Sequence, residues 1–166
     1  APSNPYDAKG LLVAAVNDPN PVMYLEHKKL YRKPDIKMEV PLGLYEVEIG
    51  KGKIVKKGSD FTIVTWSGMV SVATEAAKQL ENDGINVEIV DIRTIVPLDE
   101  EIILTSVEKT SNLCILQEDV PFSSVASEIS SVVAEKGFWN LDNPIVKVTP
   151  PNTHIPFAPV LEDAFI

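Results

Sequence analysis

One cysteine and two histidines among 166 residues leave little material for metal or redox chemistry. The lone thiol, Cys114, rules out an internal disulfide and any cysteine-based zinc site. Its setting in "NLCIL" places it in the core, where free cysteines usually lie. Long apolar runs are missing too, since none approaches the ~18 residues that span a bilayer. The start "APSNPYDAKG" lacks the basic, apolar, small-residue order of a signal peptide. The expectation is a soluble protein of the cytoplasm, or of the mitochondrial matrix in a eukaryote, with no membrane partner. Phosphate-binding signatures are also absent: the turn after the first regular strand is "WSGMVS", neither GxGxxG nor a P-loop. The same turn is not the GxSxG elbow of a serine hydrolase.

Positive charge is scarce in one part of the chain only. Residues 1–60 hold ten Lys and Arg against eight Asp and Glu, whereas residues 61–166 hold five against sixteen. The balances are +2 and −11 within a net charge of −9. An acidic surface repels phosphates, so nucleic acid is excluded as a partner of the second part, and a basic protein suits it better.

What is present is a repeating pattern. "FTIVTW" (61–66) is a short β-branched run, and "MVSVATEAAKQLENDG" (69–84) follows with Val70, Ala73, Ala77 and Leu80 at helical spacing, closed by Gly84. "NVEIVDIRT" (86–94) with "LDEEIILTSVEKT" (98–110), and "NLCILQED" (112–119) with "SSVASEISSVVAEKG" (123–137), repeat the unit; "PIVKVTPP" (144–151) adds a last strand. Apolar strands separated by amphipathic helices predict an α/β fold, a mainly parallel sheet covered on both faces. The front differs. "PYDAKGLLVAAVND" (5–18) reads as a helix and "PVMYLEH" (21–27) as a strand. From Lys28 to Gly58 a Pro- and Lys-rich stretch ends in a hairpin-like "EVEIGKGKIVKKGSD", and it reads as a crossing linker.

Candidate chemistry concentrates at the strand ends, where open α/β sheets keep their sites. Ser67 and Gly68 place backbone N–H groups at a helix start that could hold an anion. Glu118 and Asp119 read as acids capping a loop. His27, beside Glu26, and His154, in "PNTHIPFAP", are the groups that titrate near neutrality, with no orienting partner assignable. In "DIRTIVPLDEE" Pro97 breaks the chain out of a strand. Asp99, Glu100 and Glu101 then load the next helix with the sign its dipole favours, and Arg93 is expected to meet a neighbouring carboxylate or carbonyl. A receiver domain's phosphoacceptor set does not fit, because the acids Asp91, Glu118 and Asp119 follow the second and third regular strands and Lys147 sits inside its strand.

In order along the chain, "SNPYDAKGLLVAAVNDPNPVMYLEHKKLYR", "VPLG", "IGKGKIVKKGSDFTIVTWSGMVSVATEAAKQLENDGINVEIVDIRTIVPLDEE" and "VTPPNTHIPFAPVLEDAFI" resemble the carboxy-terminal half of the β subunit of thiamine diphosphate-dependent 2-oxo acid dehydrogenases. Pyruvate, branched-chain 2-oxo acid and acetoin dehydrogenases belong to that group. The resemblance implies a transketolase carboxy-terminal fold: three layers, α/β/α, around a five-stranded sheet with one antiparallel edge strand, "IGKGKIVKKG". It implies residues 1–27 as the tail of a preceding thiamine domain, 28–58 as linker and entry hairpin, and 59–166 as the carboxy-terminal domain without the family's final helix. The runners-up are the equivalent domain of a transketolase or deoxyxylulose phosphate synthase, and a freestanding anion- or nucleotide-binding domain.

The implied roles follow from the resemblance. The parent would be an α2β2 heterotetramer using thiamine diphosphate with magnesium, and its lipoyl acyltransferase would dock through a small basic subunit-binding domain. The family's catalytic glutamate belongs to the part ahead of this chain, so no catalytic, cofactor or metal residue is assigned here and no bound cofactor is expected. Asp142 matches the neighbourhood of a docking acid; His27, Tyr31, Arg32, Arg93 and His154 are assigned to interdomain or subunit contacts. Ser123, Ser124 and Ala126 stand where the family carries glycines, which puts that loop's shape in question.

Overall fold

The computed structural model describes residues 1–165. One sheet of five strands organises them: β1 (Lys53–Lys56), β2 (Phe61–Thr65), β3 (Val87–Asp91), β4 (Leu113–Leu116) and β5 (Val146–Val148), in the order β1-β3-β2-β4-β5. β2, β3, β4 and β5 pair in parallel, and β1 runs antiparallel on the outer side of β3. The expected architecture is therefore present, including the antiparallel edge strand. α1 (Pro5–Asn17) precedes the sheet; α2 (Met69–Asn82), α3 (Glu100–Thr110) and α4 (Val125–Lys136) are its crossovers, and α5 (Pro159–Phe165) follows β5.

The layers follow from the period-two alternation of strand side chains. Ile63, Val87 and Ile89 face α2 and pack on Ala73 and Ala77. Their neighbours Val64, Val90, Leu113 and Ile115 face the other way onto Ile103 and Val107 of α3 and Ala126, Ile129 and Val133 of α4. Both faces of β3 are buried, so the strand reads as a continuous apolar run, apart from Glu88 and Asp91. Cys114 lies on the α2 side, partly buried, and burial pushes its thiol up.

Helix ends follow the local sequence. The Asp99 carboxylate accepts from Ile102 N and Gly52 N, so it caps α3 and ties the start of β1 to it. Ser124 caps α4 by accepting from Ser127 N. Ser123, where the resemblance implies a glycine, takes the left-handed region at φ 52°, and Ala126 is buried with its N–H on Gln117 Oε1.

Three expectations need correction. Residues 21–27 form no strand: among the described residues no segment pairs with them, and Val22, Met23 and Leu25 stay exposed. The hairpin-like segment contributes only β1, because β3 takes its one ladder and residues 46–49 remain unpaired. Glu118 does not cap its own loop, since its carboxylate is engaged by His27.

Glu88 is fully buried on the α3 side and meets the Lys109 ammonium, which is half exposed. Its Oε1 has no hydrogen-bond partner among the described residues. Removing the lysine would strand a buried carboxylate. Lys109→Ala is expected to lower stability by about 1.5–3 kcal/mol, the range for a hydrogen bond to a charged group, measured as a shift in urea midpoint. Lys136→Ala, which breaks an exposed pair with Glu100, should barely move it.

Candidate functional site at the sheet switch point

The chain leaves β2 for β3 on one side and returns from β3 to β4 on the other, so the gap between the carboxyl ends of β2 and β4 is the switch point of the sheet. A cleft of about 190 Å³ opens there, lined by His27, Trp66, Ser67, Gly68 and Glu118 among others. Ser67 is held at φ 50°, a tight turn that delivers the chain into α2. Gly68 lets the His27 ring approach the start of that helix closely, because a Cβ there would come within 2.8 Å of His27 Cδ2.

His27 Nε2 stands 3.0 Å from Glu118 Oε2, with side chains 18% and 40% exposed. With Glu118 ionised, Nε2 carries the proton and donates it. Nδ1 is buried without a partner among the described residues. No hydrogen bond joins Ser67 to His27, so the cleft offers a base and a carboxylate but no activated nucleophile. The His27 ring and the Glu118 carboxylate thus stand beside Ser67 and Gly68, where the sequence suggests an anion position.

Beside the cleft, the first residues of the chain are fastened over the end of β3. Ser3 Oγ donates to Asp91 Oδ2 at 2.5 Å, Arg93 N donates to Asp91 Oδ1 at 3.0 Å, and Ala1 N donates to Arg93 O at 2.9 Å. Arg93 turns back with φ 56° and its Nη2 donates to Asp7 Oδ1 at 2.6 Å. Asp7 is fully buried and Arg93 is 12% exposed. Asn4 caps α1 through Asp7 N, and its Nδ2 donates to Asp7 Oδ2. Burial pushes the Asp91 carboxyl up to about 6, further than the Ser3 and Arg93 hydrogen bonds pull it down, and nearby Asp7 adds to the rise.

The "DAKG" run of α1 is explained by the same geometry. Asp7 holds Arg93, Lys9 Nζ donates to the carbonyls of Leu42 and Gly43 at 3.2 and 2.8 Å, and Gly10 allows Val47 close approach. A Cβ on Gly10 would come within 2.4 Å of Val47 Cγ2.

The other singled-out residues do not converge here. Tyr31 is exposed and donates to Glu26 Oε2 at 2.5 Å; Arg32 is exposed, with no ion pair among the described residues. His154 is exposed in the loop after β5. Asp142 is exposed in the loop before β5, where its N–H donates to Ser111 O at 2.8 Å. Sequence reasoning missed Ser3, Asn4 and Asp7, although the Asn-Pro start and an acid in the first helical turn were available as capping signals.

Residues 50–166 match the family described as "Transketolase, C-terminal domain". The chain belongs to this family. Transketolase carboxy-terminal domains also account for a structural match: a "Split gene transketolase, inactive beta4 tetramer" is 30% identical with a TM-score of 0.62, covering 72% of this chain and 38% of that one. Among curated proteins, the chain is 47% identical over 165 residues to the acetoin:2,6-dichlorophenolindophenol oxidoreductase subunit beta of Bacillus subtilis (strain 168), covering 99% of this chain and 47% of that protein. It is 48% identical over 157 residues to the pyruvate dehydrogenase E1 component subunit beta of Acholeplasma laidlawii, covering 95% and 47%. It is 42% identical over 166 residues to the 2-oxoisovalerate dehydrogenase subunit beta of Bacillus subtilis (strain 168), covering 99% and 50%. The chain thus spans about half the length of these relatives.

Thiamine diphosphate would require groups for a diphosphate and a magnesium ion, and the cleft of this transketolase carboxy-terminal domain does not fit them. Its charged side chains are Glu26, Glu118 and the titratable His27, with no lysine or arginine in the lining. Among the described residues no three His, Cys, Asp or Glu side chains converge on a point that could hold a cation.

Proposed function

We propose that this chain is the carboxy-terminal part of the β subunit of a thiamine diphosphate-dependent 2-oxo acid dehydrogenase, an oxidoreductase of the cytoplasm or mitochondrial matrix. Its part in the enzyme is assembly rather than chemistry. It joins an α subunit and a second β subunit in α2β2 and docks the subunit-binding domain of the lipoyl acyltransferase. The observation that carries the reading is identity of 42–48% across 95–99% of the chain to three β subunits of this class. The geometry supports the division of labour: Asp7 and Asp91 are spent on holding α1 and residues 1–7 at the end of β3, and Glu118 is spent on holding His27. The cofactor belongs to a part of the parent enzyme outside these residues.

The test is coexpression of the whole parent polypeptide with a tagged α subunit. Copurification and thiamine diphosphate-dependent decarboxylation of a 2-oxo acid by the pair are expected, with no turnover by residues 1–166 alone. Turnover by the isolated chain, or failure of the parent to retain an α subunit, would overturn the reading. Docking is tested at Asp142: its exposed carboxylate is expected to speed association with the basic subunit-binding domain, so Asp142→Lys should reduce the on-rate at low salt and lose its effect as salt is raised.

A further inference from the structure

Basic residues gather in a groove beside β1. Residues 28–57 hold nine Lys and Arg against four Asp and Glu, a balance of +5 in a chain of net charge −9. A groove of about 780 Å³ gathers part of this charge: Lys33, Lys37 and Lys53 line it, joined by Lys78 of α2 and opposed by Asp35 and Glu75. Its walls are the short helical turn at 34–36 and one side of α2, and its floor includes Lys53 and Val55 of β1. Lys33 Nζ donates to Ser71 Oγ at 2.6 Å and so fastens the turn to α2. Lys78 is engaged by Glu75 at 3.6 Å, whereas Lys37 and Lys53 have no carboxylate partner among the described residues.

The groove runs beside an open sheet edge. β1 pairs with β3 on one side only, and no backbone hydrogen bond among the described residues reaches its outer side, including from residues 33–38. Ile54 and Val55 are 37% and 41% exposed there. Such an edge is a template for one more strand. A strand added to it would drop alternate side chains on the α2 side, into the groove. A second copy of this chain is a poor occupant, because antiparallel pairing of two β1 edges would set the lysines of one against those of the other. Single-stranded nucleic acid is a poor one as well, because no aromatic side chain lines the groove to stack on a base.

We propose that the outer edge of β1 and the groove beside it are a docking site for an extended acidic polypeptide segment of a partner protein. The segment adds as a sixth strand, with acidic residues at alternate positions reaching Lys37 and Lys53. Main-chain pairing along Lys53–Lys56 supplies the register, and the lysines select the sign of charge. The site does not depend on the 2-oxo acid dehydrogenase reading.

The probe is a capped peptide of alternating Glu and Val, titrated onto the chain while amide hydrogen exchange is followed at Lys53–Lys56. Binding with slowed exchange of those amides is expected. The affinity should fall about tenfold or more in Lys37→Glu/Lys53→Glu, and hold in Lys147→Glu, a control on the opposite edge strand. All three lysines are exposed, and circular dichroism verifies that each variant is folded. Four results overturn the proposal: no binding; binding that survives the double charge reversal; binding without protection of β1; or equal binding of an oligothymidylate or of the matching Lys-Val peptide. Concentration-dependent dimerisation abolished by the double variant would assign the edge to a second copy and overturn it too.

Discussion

Asp7→Ala is expected to destabilise the chain by about 3–5 kcal/mol, the range for breaking a buried ion pair by removing one partner. The charge left behind is Arg93, 12% exposed, with its Nε already unpartnered among the described residues. Its guanidinium would lose the one carboxylate it reaches among the described residues, and water has little access to replace it. The loss is not confined to the pair. Asn4 Nδ2 donates to the same carboxylate, so the cap of α1 is weakened, and α1 is the element that brings residues 1–7 over Asp91. The measurement is the urea midpoint, followed by far-ultraviolet circular dichroism. A double-mutant cycle isolates the pair: with Arg93→Met in place, Asp7→Ala should cost much less, because no unpaired cation remains. Equal costs in both backgrounds would show that Asp7 acts as a helix residue and not as the counterion of Arg93.

The same region shows which features the sequence made legible. β2, α2, β3, α3, β4 and α4 were readable because local periodicity and burial agree: Ile63 and Val64 alternate between two helix layers, and Ala73 and Ala77 return at helical spacing to one of them. Residues 21–27 were misread because alternation states only that a segment could pair, and pairing needs a partner that these residues lack among those described. Arg93 was singled out, but its partner was not, since Asp7 is 86 positions away; His27 and Glu118 are 91 apart. The sequence carries each residue's chemistry, whereas such pairings depend on where α1 and the switch point come to rest. Glu88 carried a visible signal, an acid inside an otherwise apolar strand, which marks either an error of register or a buried pair.

Asp91 carries the second large effect, and its sign is opposite to that of most native carboxylates. Its folded carboxyl titrates at about 6 against an ordinary value of 3.8, chiefly because burial disfavours the charge. Between those values the folded chain binds a proton that the unfolded chain has released. The contribution to stability is therefore full below about pH 4 and is lost as pH rises through about 6, amounting to on the order of 3 kcal/mol. Asp91→Asn removes this dependence; its amide oxygen keeps the acceptor for Arg93 N, and its amide nitrogen takes the place of Oδ2, so that Ser3 Oγ turns to accept there instead of donating. Unfolding free energies measured at half-unit steps from pH 4 to 7 should give a difference between the parent and Asp91→Asn that falls by most of that amount with rising pH and then levels off. A flat difference would mean that Asp91 titrates alike in both states, and a difference rising with pH would mean that the Arg93 and Ser3 contacts outweigh burial. Because the carboxyl sits under residues 1–7, the falling limb should be accompanied by faster amide exchange at Ser3 and Asn4. That links the charge on one strand-end carboxylate to how firmly the first residues are held over the sheet.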